Sequence, residues 1–268
     1  MKPTAIGLIG TGTMGSAIAK AIAERTEGTS LYLSNRTVRK AEELARQIPG
    51  AKVTDSATAA SLCDILFLAV KPQNMKDLFR QIVPALEKRS TKPLLVSMAA
   101  GLTCGDLCSM AGGDYPVIRM MPNTPVCVGA GLILYCSCNL EDGMAETFEE
   151  ILSSAGSVDA IPEEKMDAAS ALSGCGPAFA CLFLEALADG AVACGLPRDK
   201  ALLYAEQMLE GTAKMARETG KNPASLKDEV CSPGGSTIAG IRALEAGGFR
   251  SCSMESVIAS FEKTKQLR

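Results

Sequence analysis

The residues able to do chemistry gather in two glycine-rich stretches far apart in the chain. The first, Ile9-Gly10-Thr11-Gly12-Thr13-Met14-Gly15, has the G-x-G-x-x-G spacing, follows the apolar run 5–9 and opens a helical stretch near 14–25. Each glycine has a task in that pattern. Gly10 permits a tight turn, Gly12 lets a pyrophosphate approach the backbone, and Gly15 lets helix and strand pack closely. An anion placed there meets free N–H groups and the positive end of the helix dipole. The second stretch, Ser232-Pro233-Gly234-Gly235-Ser236-Thr237, also leads into a helix. Its hydroxyls and backbone N–H groups form an anion nest suited to a carboxylate; a plain helix cap with a tight turn is the reading that spacing leaves equally open.

Two shorter segments extend the first site. About 20 residues past such a fingerprint, NAD enzymes usually carry an acidic residue for the ribose 2′-hydroxyl. Here Ser34-Asn35-Arg36 occupies that place. A guanidinium with two small hydrogen-bonding side chains suits a 2′-phosphate, so NADPH is expected, with NADH as the alternative. Ala69-Val70-Lys71-Pro72 ends another strand, at the sheet edge where open α/β folds bind ligands.

Composition removes whole classes of mechanism. The chain has 268 residues and no histidine, so imidazole acids, Ser-His-Asp triads and histidine-ligated metals are excluded. A net charge of −3 with scattered Lys and Arg gives no basic stripe, so no nucleic-acid partner is expected. The 11 cysteines include no C-x-x-C pair. They read as reduced, mostly buried thiols of a cytoplasmic protein, and their spacing offers no support for a zinc site, so no metal is expected. The apolar uncharged run 168–184 is shorter than the roughly 20 residues of a membrane span, and no membrane partner is expected.

The elements that must position these residues change character along the chain. Strand candidates at 5–9, 30–33, 65–70, 94–97, 117–120, 132–135 and 158–161 alternate with helix candidates near 14–25, 37–48, 74–87, 103–111 and 141–154. That alternation predicts an α/β fold, a Rossmann-type doubly wound sheet covered on both faces. After Pro162 only helices follow, near 163–172, 177–194, 198–218 and 235–263, the last broken near Gly247–Gly248. The division is therefore a dinucleotide-binding domain at 1–162 and a helical substrate and dimerisation domain at 163–268. Residues 177–195 carry only Glu185 and Asp189 as charges, so this helix must be covered on most sides. A domain of this size cannot easily do so alone, which implies a homodimer; a monomer with the helix central in its own bundle is the alternative.

Read together, 7–15, Ala69-Val70-Lys71-Pro72, 97–101, Arg119-Met120-Met121-Pro122-Asn123-Thr124-Pro125, 173–178, Gly195-Leu196-Pro197 and 227–237 resemble pyrroline-5-carboxylate reductases over nearly the whole chain. The resemblance implies reduction of the cyclic imine 1-pyrroline-5-carboxylate to L-proline by NAD(P)H, the last step of proline synthesis. It also implies a helical dimerisation domain, with dimers often assembled into larger rings. It places the dinucleotide on Ile9, Gly10, Thr11, Gly12, Thr13 and Met14, on Ser34, Asn35 and Arg36, on Ala69, Val70, Lys71 and Pro72, and on Met98, Ala99 and Ala100. Ser56 falls near the adenosine, where an Asn is common. The substrate carboxylate falls on Ser232, Gly234, Gly235 and Ser236, and the ring nitrogen near the Thr237 hydroxyl, the one catalytic group implied. Cys175, Asn222, Gly220 and Glu229 also depart from residues that members use. Two other readings share the two-domain plan. A β-hydroxyacid dehydrogenase would need a lysine after a glycine-rich turn, and 173–179 has none. A catalytically silent NADP-binding regulator would not need the intact 232–237 block.

Overall fold

The structure, a computed structural model, describes residues 3–26 and 28–266. Its strands are β1 (Ala5–Ile9), β2 (Ser30–Ser34), β3 (Lys52–Val53), β4 (Ile65–Leu68), β5 (Leu94–Ser97), β6 (Val117–Pro122), β7 (Gly131–Cys138) and β8 (Gly156–Ala160). They form one 8-stranded sheet in the order β3-β2-β1-β4-β5-β6-β7-β8. Helices α1 (Thr13–Arg25), α2 (Val38–Ala45), α3 (Ser56–Leu62), α4 (Met75–Leu86), α5 (Cys104–Ala111) and α6 (Met144–Leu152) connect them.

The central strands β1, β4 and β5 read as nearly unbroken apolar runs because both faces are covered. In β1, Ile6 and Leu8 join a core with Ile18 and Ile22 of α1, Leu44 of α2 and Phe148 of α6. Ala5 and Ile9 point the other way, into a core with Ala59 of α3, Phe79 and Ile82 of α4 and Leu107 of α5. The chain moves outward from β1 to β2 and β3, then returns to the opposite side at β4. That reversal opens a crevice at the carboxyl ends of β1 and β4.

Three elements differ from the sequence reading. The strand β3 is two exposed residues and α3 only seven, both too short to show a period. Helix α10 (Pro223–Val230) was also missed; the Asn222 side chain caps it by accepting from the Ala224 N–H at 2.9 Å. The pair β6 and β7 is antiparallel, unlike the other pairs of the sheet. The residues joining them hold one short helical turn, Thr124–Val128, whereas a parallel crossover needs a dozen residues or more.

Six helices follow the sheet: α7 (Met166–Ser173), α8 (Gly176–Ala193), α9 (Arg198–Thr219), α10, α11 (Ser236–Ala246) and α12 (Phe249–Lys265). The break between α11 and α12 lies at Gly247–Gly248, where Gly248 takes φ +75°. The chain divides into two compact units, one running to Gly174 and including residues from Phe261 on, the other Cys175–Ser260. In the second unit the buried hydrophobic side chains, among the described residues, are Ala188, Ala201, Ala205 and Leu226. Leu182, Leu203 and Met254 stay 67%, 52% and 61% exposed.

By length and composition alone, Glu163–Ala193 would qualify as a membrane span, with 11% of its apolar window buried in the chain. The uncharged run is shorter than a span, but α7 and α8 follow one another closely enough to extend it. The cysteines are less buried than expected. Cys63, Cys104 and Cys136 are buried, Cys108, Cys138, Cys175 and Cys231 are partly so, and Cys127, Cys181, Cys194 and Cys252 are exposed. Three of the exposed ones lie on or beside the helices of the second unit, which covers little of its own surface.

Candidate active site

The first cradle forms where β1 turns into α1. Gly10 sits at φ +110°, and a Cβ there would stand 2.2 Å from the Ala69 carbonyl oxygen at the end of β4. A Cβ on Gly15 would stand 2.0 Å from the Gly10 carbonyl oxygen, so the helix packs directly on the turn. A Cβ on Gly12 would meet nothing within 4 Å. The space beside Gly12 is open, and no side chain caps α1, so its first-turn N–H groups face that space without an intrahelical partner. Hydrogen bonds fix the floor: the Gly10 N–H donates to the Ser34 carbonyl at 2.8 Å and the Thr11 N–H to Asn35 Oδ1 at 3.1 Å. Thr11 Oγ1 is buried with no hydrogen-bond partner among the described residues. An unmet hydroxyl, an open glycine and uncapped N–H groups together fit a pyrophosphate.

A cavity of about 620 Å³ adjoins this turn. Ile9, Gly10, Gly12, Asn35, Arg36, Ser56, Ala69, Val70 and Lys71, all among the expected dinucleotide residues, line it. Ser34 is buried beneath it, its Oγ 3.0 Å from Ser56 Oγ. Arg36 and Lys71 are exposed and form no ion pair among the described residues, and Lys40 adds a third cation to the wall. Thr37, Lys40, Gln73, Asn74, Asp77, Leu78 and Gln81 line the cavity too, and sequence reasoning passed over them. A signal existed for part of this set: Pro72 begins a short helical turn, Pro72–Asn74, leading into α4. Thr11, Thr13, Met14 and Pro72 lie at this turn or beside it but not on the cavity wall. Met98, Ala99 and Ala100 follow β5 and are not part of that wall either; the Met98 N–H reaches the Leu68 carbonyl at 3.3 Å, and Ala99 is buried.

The Arg119–Pro125 motif proves to be a clamp within the sheet unit. Arg119 is 1% exposed, and its Nη2 donates to Asp167 Oδ1 of α7 at 2.9 Å. Glu163 lies 3.5 Å from Nη1, too poorly aimed for a hydrogen bond. Asn123 accepts from the Leu132 N–H at 2.8 Å and donates to the Ser173 carbonyl at 3.1 Å. One motif therefore ties β6, β7 and both ends of α7 together.

The second cradle precedes α11. The Gly235 N–H closes a turn on the Ser232 carbonyl at 3.0 Å, with Gly234 at φ +70°. Gly235 is the N-cap of α11 and supplies no side chain, so the first-turn N–H groups are again free. Ser232, Gly234, Ser236 and Thr237 are all exposed in the single chain. Nearby, Lys221 pairs with Glu229 at 2.7 Å, and Asp228 beside Lys227 raises the affinity of that amine for its proton. Neither contact caps the cradle.

Known proteins bear on both cradles. Residues 163–267 match the family model described as pyrroline-5-carboxylate reductase dimerisation, and residues 5–101 match NADP oxidoreductase coenzyme F420-dependent. The Escherichia coli K12 pyrroline-5-carboxylate reductase is 38% identical over 98% of this chain and 97% of its own. The chain belongs to the pyrroline-5-carboxylate reductase family. Among solved members, the Plasmodium falciparum enzyme with NADP bound superposes with a TM-score of 0.85 at 32% identity, over 99% of this chain and 98% of that one. The Coxiella burnetii enzyme gives 0.90 at 30%, over 100% and 99%. The expected Rossmann-type sheet followed by helices is thus the architecture of pyrroline-5-carboxylate reductases.

Proposed function

We propose that this chain reduces the ring C=N bond of 1-pyrroline-5-carboxylate with NADPH to give L-proline, the closing step of proline synthesis. The observation that carries this reading is that a member of this family keeps two uncapped glycine-rich helix starts, α1 and α11, the first ringed by Arg36, Lys40 and Lys71. When bound, NADPH supplies a hydride to the ring carbon. The protonated imine is already electrophilic, so the protein's task is orientation and charge complementarity, and a chain without histidine is suited to it.

The residues divide that task. Thr11, Gly12 and the first-turn N–H groups of α1 hold the pyrophosphate, and Arg36 with Lys40 holds the 2′-phosphate. Ser56 and the 69–72 and 98–100 segments complete the dinucleotide site. Ser232, Gly234, Gly235 and Ser236 hold the substrate carboxylate, and the Thr237 hydroxyl meets the ring nitrogen. The domain boundary falls between 162 and 163, a reading supported by the dimerisation match over 163–267, and the Arg119 clamp fastens α7 to the sheet. A homodimer, able to build larger rings, covers the apolar surface of α8 and α9; obligate interfaces of this kind are hydrophobic and large. The same dimer accounts for Glu163–Ala193 without a membrane, and eleven free thiols favour the cytoplasm. With a net charge of −3, nucleic acid is no partner.

The deciding assay follows NADPH and NADH oxidation with pyrroline-5-carboxylate and with a panel of 3-keto acids. Turnover is expected with the imine alone and faster with NADPH. Turnover on a 3-keto acid would make the chain a hydroxyacid dehydrogenase, and tight NADPH binding without turnover would make it a regulator.

A further inference from the structure

Between α5 and β7, cysteines distant in sequence meet as two separate pairs. Cys104 Sγ lies 3.9 Å from Cys136 Sγ, and Cys108 Sγ lies 3.5 Å from Cys138 Sγ. The pairs differ in access. Cys104 and Cys136 are 3% and 6% exposed, whereas Cys108 and Cys138 sit at the margin of the same core and are partly exposed. Oxidants select accessible thiols, so the outer pair is the one open to them.

The neighbours of the outer pair divide two roles between its sulfurs. Asn139, at φ +55°, donates through Nδ2 to Cys108 Sγ at 3.6 Å and to the Tyr115 carbonyl at 3.2 Å. As a thiol, Cys108 donates to that same carbonyl at 3.6 Å. Once its proton has left, the Asn139 N–H remains to hold the thiolate. Burial pushes the Cys138 thiol upward, so Cys138 keeps its proton and faces Cys108 as an S–H. A disulfide has an S–S bond of about 2.05 Å, so the two sulfurs need to close by about 1.5 Å from their 3.5 Å separation.

The pair is remote from the dinucleotide cavity. Cys138 stands opposite Val117 at the start of β6, and β6 runs parallel to β5, β4 and β1. Cys108 and Cys138 therefore lie toward the end of the sheet away from the crevice at the carboxyl ends of β1 and β4.

We propose that Cys108 and Cys138 form a modification site that a hydroperoxide oxidises to an intrachain disulfide, tying α5 to β7. The Cys108 sulfur attacks a peroxide oxygen: an S–O bond forms, the O–O bond breaks, and the leaving oxygen takes up the Cys108 proton. The Cys138 sulfur then displaces hydroxide from Cys108, an S–S bond forms, and the Cys138 proton completes a water molecule. Two electrons pass from the sulfurs to the peroxide. A reductant of the dithiol class returns both thiols by exchange. The inner pair, shielded by the core, stays reduced.

The test treats full-length protein, reduced and then freed of reductant, with a few equivalents of hydrogen peroxide, alkylates the remaining thiols and maps tryptic peptides by mass spectrometry without reduction. Cleavage at Arg119 separates the two cysteines, so a link appears as a joined peptide pair whose fragmentation names the sulfurs. A Cys108–Cys138 link that dithiothreitol reverses is expected, with Cys104 and Cys136 alkylated after unfolding. Cys138→Ser, checked for folding by circular dichroism, should leave a sulfenic acid on Cys108 that dimedone captures. Any of three results in the wild-type protein would overturn the site: both outer thiols untouched, a Cys104–Cys136 link in their place, or Cys108 carried to sulfinic acid while Cys138 stays free. Folded Cys138→Ser protein with no dimedone on Cys108 would overturn the order of the two steps. None of these readouts depends on imine reduction.

Discussion

The sheet-bearing unit buries Ile6, Phe67, Phe148 and even Arg119 to 1% or less of their surface. Between Cys175 and Ser260, among the described residues, the buried hydrophobic side chains are three alanines and Leu226, although α8 is the more apolar in sequence. Apolar composition therefore does not by itself report where cover comes from. The central strands β1, β4 and β5 receive helices from their own chain on both faces. Helix α8 has 18 residues and buries only Ala188. The first unit is closed by its own sequence; the second leaves apolar surface uncovered and matches a family model for dimerisation.

Substitutions can break this contrast. Leu182→Asp places a charge on the uncovered face of α8. It should dissociate the assembly in sedimentation velocity, since burying an unpaired carboxylate costs several kcal/mol. A mass equal to wild type would show that this face is not the interface. Arg119→Met acts on the other unit, stripping the buried Asp167 carboxylate of the cation beside it. Unfolding by urea should show a loss of about 3–5 kcal/mol, and a shift under 1 kcal/mol would remove the clamp from the account. Thr237→Ala should leave both stability and assembly intact while lowering kcat/KM roughly tenfold or more, as expected for a hydrogen bond to a charged group. Unchanged activity would remove the catalytic role.

Smaller effects sharpen the comparison. Thr58 donates its hydroxyl and its N–H to Asp55, at 2.6 and 2.9 Å, and these bonds hold the carboxyl below its usual range. A depressed carboxylate stabilises the fold above its unfolded pKa and loses that contribution as pH falls through the folded value. Asp55→Ala should therefore cost about 1 kcal/mol near neutral pH in denaturant unfolding, with the difference from wild type shrinking below about pH 4. An unchanged difference in acid would break the link to the cap. Cys175→Ser should leave turnover unchanged; inactivation would give that thiol a role it has not been assigned.

Much of the first unit was legible because its signals are local. The alternation of apolar runs and amphipathic stretches, and the three glycines of the first turn, each report a backbone constraint within a few residues. The short elements β3, α3 and α10 were not legible, since two to eight residues hold too little of a period. The far wall of the dinucleotide cavity, Gln73 to Gln81, was illegible for another reason: it faces the cleft because β4 lies next to β1, and nothing in those residues announces that neighbour.

The sequence by itself determined the fold class, the two cradles and the exclusion of imidazole chemistry, because glycine spacing, strand period and the absence of a residue type are properties of the chain alone. Only the tertiary structure decided which side chains meet. It put Arg119 with Asp167 across 48 positions, left α8 with little intramolecular cover, and set Cys104 beside Cys136 and Cys108 beside Cys138. Contacts between residues distant in sequence depend on how strands and helices pack, and that information is carried by the whole fold rather than by any segment.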